Sequence, residues 1–297
     1  MNSVTVRIPG TTANLGSGFD TLGLAIALHN KAQLARRTGR GPLITSPISD
    51  DARDGATALF RSSAQAFFRR TRIPAFGFEI HLEGAVPIAR GLGSSVTARL
   101  GCIAGLNALT GSTLDRHALL DLVSAEEGHP DNAAPAVFGG FTAAGFVGKE
   151  VRCIRTPIQN SIRFITLIPP FEVSTPEARQ LVPLSFSKAD TIHSLNRTAL
   201  ITAAFTSGNY TALQGCFDDR IHQPWRAKLI PQLDAVISAG VKAGAIGGWL
   251  SGSGSTLMCL ATKGADTEAI ATAMLRRLPG SAVYVLKPDN DGVQVSV

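Results

Sequence analysis

The chain has 297 residues, 44% hydrophobic and 17% charged, with a formal net charge of +6. That balance excludes a disordered chain and predicts a globular protein with core enough for about two domains. Aromatic residues make up 6%, and the basic residues are scattered apart from small clusters at Arg36, Arg37 and Arg40 and at Arg69, Arg70 and Arg72. No basic stretch is interleaved with aromatics, so nucleic acid is not an expected partner, and an anionic small substrate suits the charge better.

Val4, Val6 and Ile8 alternate with Thr5 and Arg7, which predicts an opening strand rather than a signal peptide. Pro9 to Gly18 reads as a glycine-rich bend, and Leu22 to Leu28 as an apolar strand. In the bend, Asn14 and Asp20 are either turn formers or an amide and a carboxylate offered to a polar substrate. Residues 54–70 place Leu59, Phe60, Ala64 and Phe67 at helical spacing. Phe76 to Leu82 alternates as a strand. It leads into Val86 to Ala98, VPIARGLGSSVTA, the most informative segment of the chain. Glycines permit close backbone approach, the serines sit where a helix begins, and a small-apolar helix is predicted from Val96 to Leu109. The free N–H groups and partial positive charge of such a helix start suit phosphate. Neither the common P-loop spacing nor G-x-G-x-x-G is present.

A helix is expected over Arg116 to Ala125, then a loop over Gly128 to Gly140, then a strand over Phe141 to Val147. The segment Glu126-Glu127-Gly128-His129-Pro130-Asp131-Asn132 gathers acid, imidazole and amide just past a helix. Glu127 with a serine hydroxyl of the glycine-rich loop can share a Mg²⁺, an ion that favours a few protein oxygens beside phosphate. The bland alternative is a solvated helix end. Phe164 to Ile168 reads as a strand stopped by Pro169 and Pro170. Thr175-Pro176-Glu177-Ala178-Arg179 begins a helix with Pro in its first turn. Helices are also predicted over Ala189 to Thr206, Tyr210 to Phe217, Ile230 to Ala239 and Thr267 to Leu278, and a short one near Arg226. Arg179 and Arg226 suit a carboxylate. Gly244 to Ser255 is too glycine-dense for a plain strand and reads as a loop of close approach. Leu257 to Ala261 and Ala282 to Leu286 read as strands. A domain boundary is placed near 155, dividing 1–155 from 156–297. Cys102, Cys153, Cys216 and Cys259 show no C-x-x-C spacing, which suits a reducing, cytoplasmic setting. No apolar run reaches membrane-spanning length, so no membrane partner is expected.

Three of these segments, in this order, resemble the signatures of the small-molecule kinases that include galactokinase, homoserine kinase, mevalonate kinase and phosphomevalonate kinase (GHMP kinases). They are Pro9 to Gly23, Pro87 to Ser95, and Gly244 to Ser255. The resemblance is greatest to the branch acting on L-homoserine, through TTANLGSGFDTLGLA at Thr11 to Ala25, EGHPDNAAPAVFGG at Glu127 to Gly140, STPEAR at Ser174 to Arg179, and QPWRAKLIP at Gln223 to Pro231. It implies an α+β fold of two domains, a ribosomal-protein-S5-like one that binds ATP and a ferredoxin-like one, with the active site between them. It further implies that Asn14 and Asp20 hold the hydroxyl and amino ends of the substrate. Thr175, Arg179 and Arg226 would lie at its carboxylate and nearby phosphate charge. His129, Asp131 and Asn132 would border the reacting centre, with Asp131 orienting rather than acting as base. Pro87, Ala89, Arg90, Gly91, Leu92, Gly93, Ser94 and Ser95 would bind the nucleotide, the backbone from Gly91 to Ser95 wrapping the ATP phosphates, and Ser94 or Ser95 would hold Mg²⁺ with Glu127. A homodimer is compatible with the family. Two readings stand beside this one: a sister kinase acting on pantoate, shikimate or a mevalonate-type alcohol, and a catalytically silent ATP-binding sensor. The chain departs from the usual pattern at Ser17, where Pro is usual, and at Val96, Thr97 and Arg99, where alanines are usual. Arg99 has no evident place in a small-residue helix.

Overall fold

A computed structural model describes residues 3–296. The first half builds a mostly antiparallel sheet. Strand β1 (Ser3–Ala13) pairs with β2 (Leu22–Arg37). β2 pairs in turn with β4 (Gly77–Gly84), and β3 (Pro42–Ile44) lies parallel to β4. β5 (Phe141–Val147) joins the other end of β2 and carries β6 (Glu150–Thr156). The helices of this half are α1 (Asp50–Thr71), α2 (Ser94–Leu109), α3 (Arg116–Glu127) and α4 (Ala133–Phe138). α2 is buried on nearly every side because its residues are small and apolar. Val6, Ile8 and Leu34 of the sheet pack with Phe60 and Phe67 of α1 and Leu100 and Ile103 of α2 in one core.

The second half runs from β7 (Arg163–Ile168) through α5 (Thr175–Gln180), α6 (Lys188–Ser207), α7 (Gln223–Arg226) and α8 (Leu233–Lys242). It continues through β8 (Gly247–Leu250), β9 (Leu257–Ala261), α9 (Thr267–Leu275) and β10 (Ala282–Leu286). The second sheet has the antiparallel order β10-β7-β9-β8. Setting α5 to α7 aside, this is a β–α–β–β–α–β arrangement, the ferredoxin-like pattern. α8 and α9 pack on it through Val236, Ile270 and Met274. Strand β11 (Gln294–Ser296) returns to pair with β1 of the first sheet.

Several elements differ from the sequence expectation. Pro9 to Ala13 continues β1 instead of bending, and the irregularity is a register shift between Pro9 and Gly10, where a proline is tolerated. Ala133–Phe138 is a short buried helix inside the expected loop. The predicted helix over Tyr210 to Phe217 shrinks to a 3-10 turn, Tyr210–Leu213, although its apolar residues stay buried. Gly247–Leu250 is a strand after all. Its glycines reflect close approach: a Cβ on Gly248 would lie 2.5 Å from the Met258 carbonyl oxygen of the neighbouring strand.

A third apolar cluster belongs to both halves. Leu15, Leu22, Leu24 and Ile26 of the first meet Phe164, Phe205, Trp249 and Met258 of the second. Trp249 is fully buried and stacked on Phe217, with ring centres 4.8 Å apart. Trp249→Ala should therefore cost about 3–5 kcal/mol of stability, read from denaturant unfolding; a loss below about 1 kcal/mol would contradict this packing.

Candidate active site

A polar cleft of about 80 Å³ opens where the loop after β1, the segment before α2, the α3–α4 junction and α5 and α7 converge on the β8–β9 loop. Asn14, Asp20, Glu127, His129, Asp131, Asn132, Thr175, Arg179 and Arg226 all line it, as do Ala89, Gly91, Gly93, Ser94 and Ser95. Pro87, Arg90 and Leu92 do not. Leu92 is buried in the shared core, and its carbonyl accepts the Thr11 N–H at 3.1 Å. Arg90 turns its side chain away to the carbonyls of Pro169 (3.1 Å) and Pro170 (3.0 Å) and to Glu172 at 3.3 Å. It staples the phosphate-loop segment to the second half, so its expected contribution to an anion is limited to backbone.

Gly93 precedes α2 with a left-handed backbone (φ 71°), and a Cβ there would lie 2.2 Å from Thr11 Oγ1. Glycine is what lets this turn press against β1 and release the α2 N-terminus into the cleft. Thr11 then donates to Asn132 Oδ1 at 2.7 Å. Asn132 is thereby turned with its carbonyl oxygen already engaged.

Asp131 is buried and accepts from His129 Nδ1 at 2.6 Å and from the Asn132 backbone N–H at 2.8 Å. Burial opposes charge on His129, but the hydrogen bond and negative charge of Asp131, with Asp20 beyond, prevail and raise its pKa above the ordinary value.

Close by lies Asp20, with a carboxylate oxygen within 4.8 Å of a His129 ring nitrogen and an Asp131 carboxylate oxygen. It forms a two-pronged ion pair with Arg179, with Nη1–Oδ2 at 2.8 Å and Nη2–Oδ1 at 3.0 Å. The Asp20 bond holds the Arg179 proton more firmly than usual. Arg226 is buried, and burial together with the Arg179 charge pulls its pKa down to about 10, still a cation at neutral pH. It donates to the Gly252 carbonyl at 2.9 Å and lies over the Phe19 ring. Asn14 donates to that same Gly252 carbonyl (3.1 Å), and its Oδ1 receives the Asp20 N–H (3.0 Å). Its amide therefore ties the substrate loop to the β8–β9 loop. Thr175 Oγ1 lies 3.2 Å from Ser253 Oγ.

At the far end Ser95 donates to Glu127 Oε2 at 3.0 Å. A hydroxyl and a carboxylate, both hard oxygen donors, suit Mg²⁺.

Sequence reasoning missed three parts of this neighbourhood. Gly252 and Ser253 line the cleft from within the third glycine-rich segment. His222 is fully buried; its Nε2 donates to the Gly16 carbonyl (2.8 Å), its ring stacks on Phe19, and Nδ1 sits 3.3 Å from Arg226 Nη1. Burial pushes its pKa down to about 4, so it is neutral. A lone histidine in a turn carries no such signal in sequence. Finally, an apolar cavity of about 650 Å³ adjoins the α2 start, bordered by Ile44, Pro47, Leu59, Phe60, Leu82 and Val86 and reaching Ser94 and Ser95. Its walls come from elements distant in sequence, so no motif announces it.

Profiles described as GHMP kinases N terminal domain and GHMP kinases C terminal match residues 58–140 and 203–280. A homoserine kinase of Clostridium kluyveri is 35% identical over 300 residues, covering 99% of both chains. One of Nostoc sp. is 40% identical over 88% of this chain and 87% of its own. The crystal structure of homoserine kinase from Cytophaga hutchinsonii superposes with a TM-score of 0.90 at 28% identity, covering 100% of this chain and 98% of that one. A mevalonate kinase structure, at 14% identity over 97% and 99%, shares the fold with a TM-score of 0.68.

Because the Asp131 carboxylate raises the His129 pKa against burial, Asp131→Asn should drop that pKa below its wild-type value, measured by NMR titration of the imidazole. In wild type the His129–Asp131 pair adds stability that is complete below the unfolded histidine pKa and is lost as pH rises through the elevated folded one. An unchanged His129 pKa in Asp131→Asn would show that the pair is not electrostatically coupled.

Proposed function

The chain belongs to the GHMP kinase family, among the homoserine kinases, and from that membership we propose that it transfers the γ-phosphoryl group of ATP to the side-chain hydroxyl of L-homoserine. The product is O-phospho-L-homoserine, on the route to threonine. The observation that carries this reading is the gathering of opposite charges in one cleft, Asp20 paired with Arg179 and Arg226 lining it too, together with the residues of a helix N-terminus, Ser94 and Ser95. An amino acid has an ammonium and a carboxylate on one carbon, and Asp20 and the arginines offer a partner to each. A ligand lacking either charge would leave a site group unmatched, which is how such sites discriminate strongly.

In this reading the nucleotide base occupies the apolar cavity beside α1 and β4, and the phosphates run past Ser94 and Ser95 to the α2 N-terminus. Glu127 and Ser95, with Ser94 beside them, hold Mg²⁺, which when bound neutralises charge on the transferring phosphate. The protein's own work is alignment and electrostatics, the main requirements of phosphoryl transfer. Asn132 has its carbonyl oxygen taken by Thr11 and one amide hydrogen directed at Asp131 Oδ1 (3.4 Å), so the second amide hydrogen is the group left for the acceptor hydroxyl. Asp131 Oδ1 accepts from both His129 and the Asn132 backbone, which supports an orienting role, and its Oδ2 is the atom that would have to serve if Asp131 were a base. Arg179 supplies charge close to both carboxylate and phosphate. The free cysteines support a cytoplasmic location, and no described helix is long and apolar enough to cross a membrane. A homodimer belongs to the same proposal, by family likeness.

The test is ADP release with Mg-ATP and a panel of L-homoserine, D-homoserine, L-serine, pantoate, shikimate and mevalonate. Turnover with L-homoserine alone is expected. Turnover with another alcohol would keep the kinase and discard the substrate, and ATP binding without turnover would favour a sensor. Arg226→Ala should raise KM for L-homoserine about 30-fold or more, since removing one partner of a buried charged contact costs roughly 2–5 kcal/mol. Asp131→Asn should keep kcat within about tenfold; a loss of roughly 10²- to 10⁴-fold, the size of a general base's usual contribution, would make Asp131 the base.

A further inference from the structure

Arg99 interrupts an otherwise small and apolar helix. It lies one turn beyond Ser95 on the same face of α2. Its Nε donates to Glu127 Oε1 at 2.7 Å, and its Nη1 donates to Glu126 Oε2 at 3.2 Å and to Ser62 Oγ of α1 at 3.0 Å. All three charged side chains are largely buried, at 17%, 19% and 12% exposure for Arg99, Glu126 and Glu127. The two glutamates end α3, where the helix carries partial negative charge and repels carboxylates. Without a cation between them they would repel each other as well as the helix end.

The geometry points to Arg99 as the positioning residue of the cation site. This rests on the reading that Glu127 is a Mg²⁺ ligand. Arg99 occupies Oε1, the oxygen away from Ser95, and leaves Oε2 directed at the Ser95 hydroxyl. The Glu127 carboxylate is thus fixed in rotation before any ion arrives, with the oxygen nearest the phosphate loop left for it. A nearby arginine also repels a divalent ion, but Glu126 balances that charge at 3.2 Å. Orientation is therefore the larger effect, and outer-shell partners of this kind commonly govern metal affinity by 10- to 100-fold.

The experiment measures Mn²⁺ binding by electron paramagnetic resonance on the full chain holding a non-hydrolysable ATP analogue. Arg99→Met should weaken Mn²⁺ about tenfold or more, and Arg99→Lys, which keeps charge but not the fork, should fall between. In a Glu127→Gln background Arg99→Met should change Mn²⁺ affinity little, because the group it positions is gone. Unchanged or tighter Mn²⁺ binding in Arg99→Met overturns the proposal, as does a lower melting temperature with Mn²⁺ binding intact. Should Arg99→Met not fold, Arg99→Lys decides: wild-type Mn²⁺ affinity there would reject positioning by the fork. If Glu127→Gln alone leaves Mn²⁺ binding untouched, the ligand assignment of Glu127 has failed instead.

Discussion

One buried hydrogen-bond joint at the end of β1 holds the cleft in shape. Thr12 Oγ1 accepts the Trp249 indole N–H at 2.9 Å and lies 2.8 Å from the Ser251 hydroxyl, which donates to the Gly91 carbonyl at 2.6 Å. The substrate loop, the phosphate loop and the β8–β9 loop are each represented in it, and Thr12, Trp249 and Ser251 are all fully buried. Buried polar groups without partners are costly, so any displacement of one loop would leave the other two unsatisfied. The backbone repeats the arrangement: Thr11 binds the Leu92 carbonyl, Gly252 the Ala13 carbonyl, and Thr256 the Arg90 carbonyl.

With the loops fixed, the charges acquire fixed places. Arg226 is held by Gly252, Ala178 and the neutral ring of His222, and His222 is anchored to Gly16. The chain stores two guanidinium groups within reach of each other and offsets them with Asp20 and, farther back, Asp131 and Asp219. Such preset electrostatics need no rearrangement when charge arrives with a substrate. The Asp20–Arg179 pair keeps the site from holding unpaired charges meanwhile.

Much of this was legible from residue order. The glycine-rich segments, the acidic turn after α3 and the arginines of α5 and α7 are local patterns, and the fold brings nearly all of them to one cleft. The errors and omissions have a common physical origin. Gly247–Leu250 looked like a loop because its glycines serve a close contact with Met258, a partner remote in sequence. Arg90 reads as part of the nucleotide loop from its motif, yet the carbonyls exposed after β7 claim its guanidinium. His222 acts only through a bond to Gly16, some two hundred residues away, and Arg99 makes sense only once the end of α3 stands beside α2. Periodicity and motif spacing report on neighbours along the chain, not on such meetings.

The apolar cluster shared by the two sheets bears on how the molecule loses its structure. Leu15, Leu22 and Ile26 of the first half share one buried cluster with Phe164, Phe205 and Met258 of the second, and Phe141 of the first sheet stacks on Phe205. Separating the halves would expose both faces together, at a cost that scales with the apolar area laid open. The two sheets are therefore energetically coupled: neither the one that carries the phosphate loop nor the one that carries Trp249 can leave this cluster without exposing the other. Whatever binds in the cleft only when the halves are packed together stabilises that packing by mass action, and so guards apolar surface it never touches.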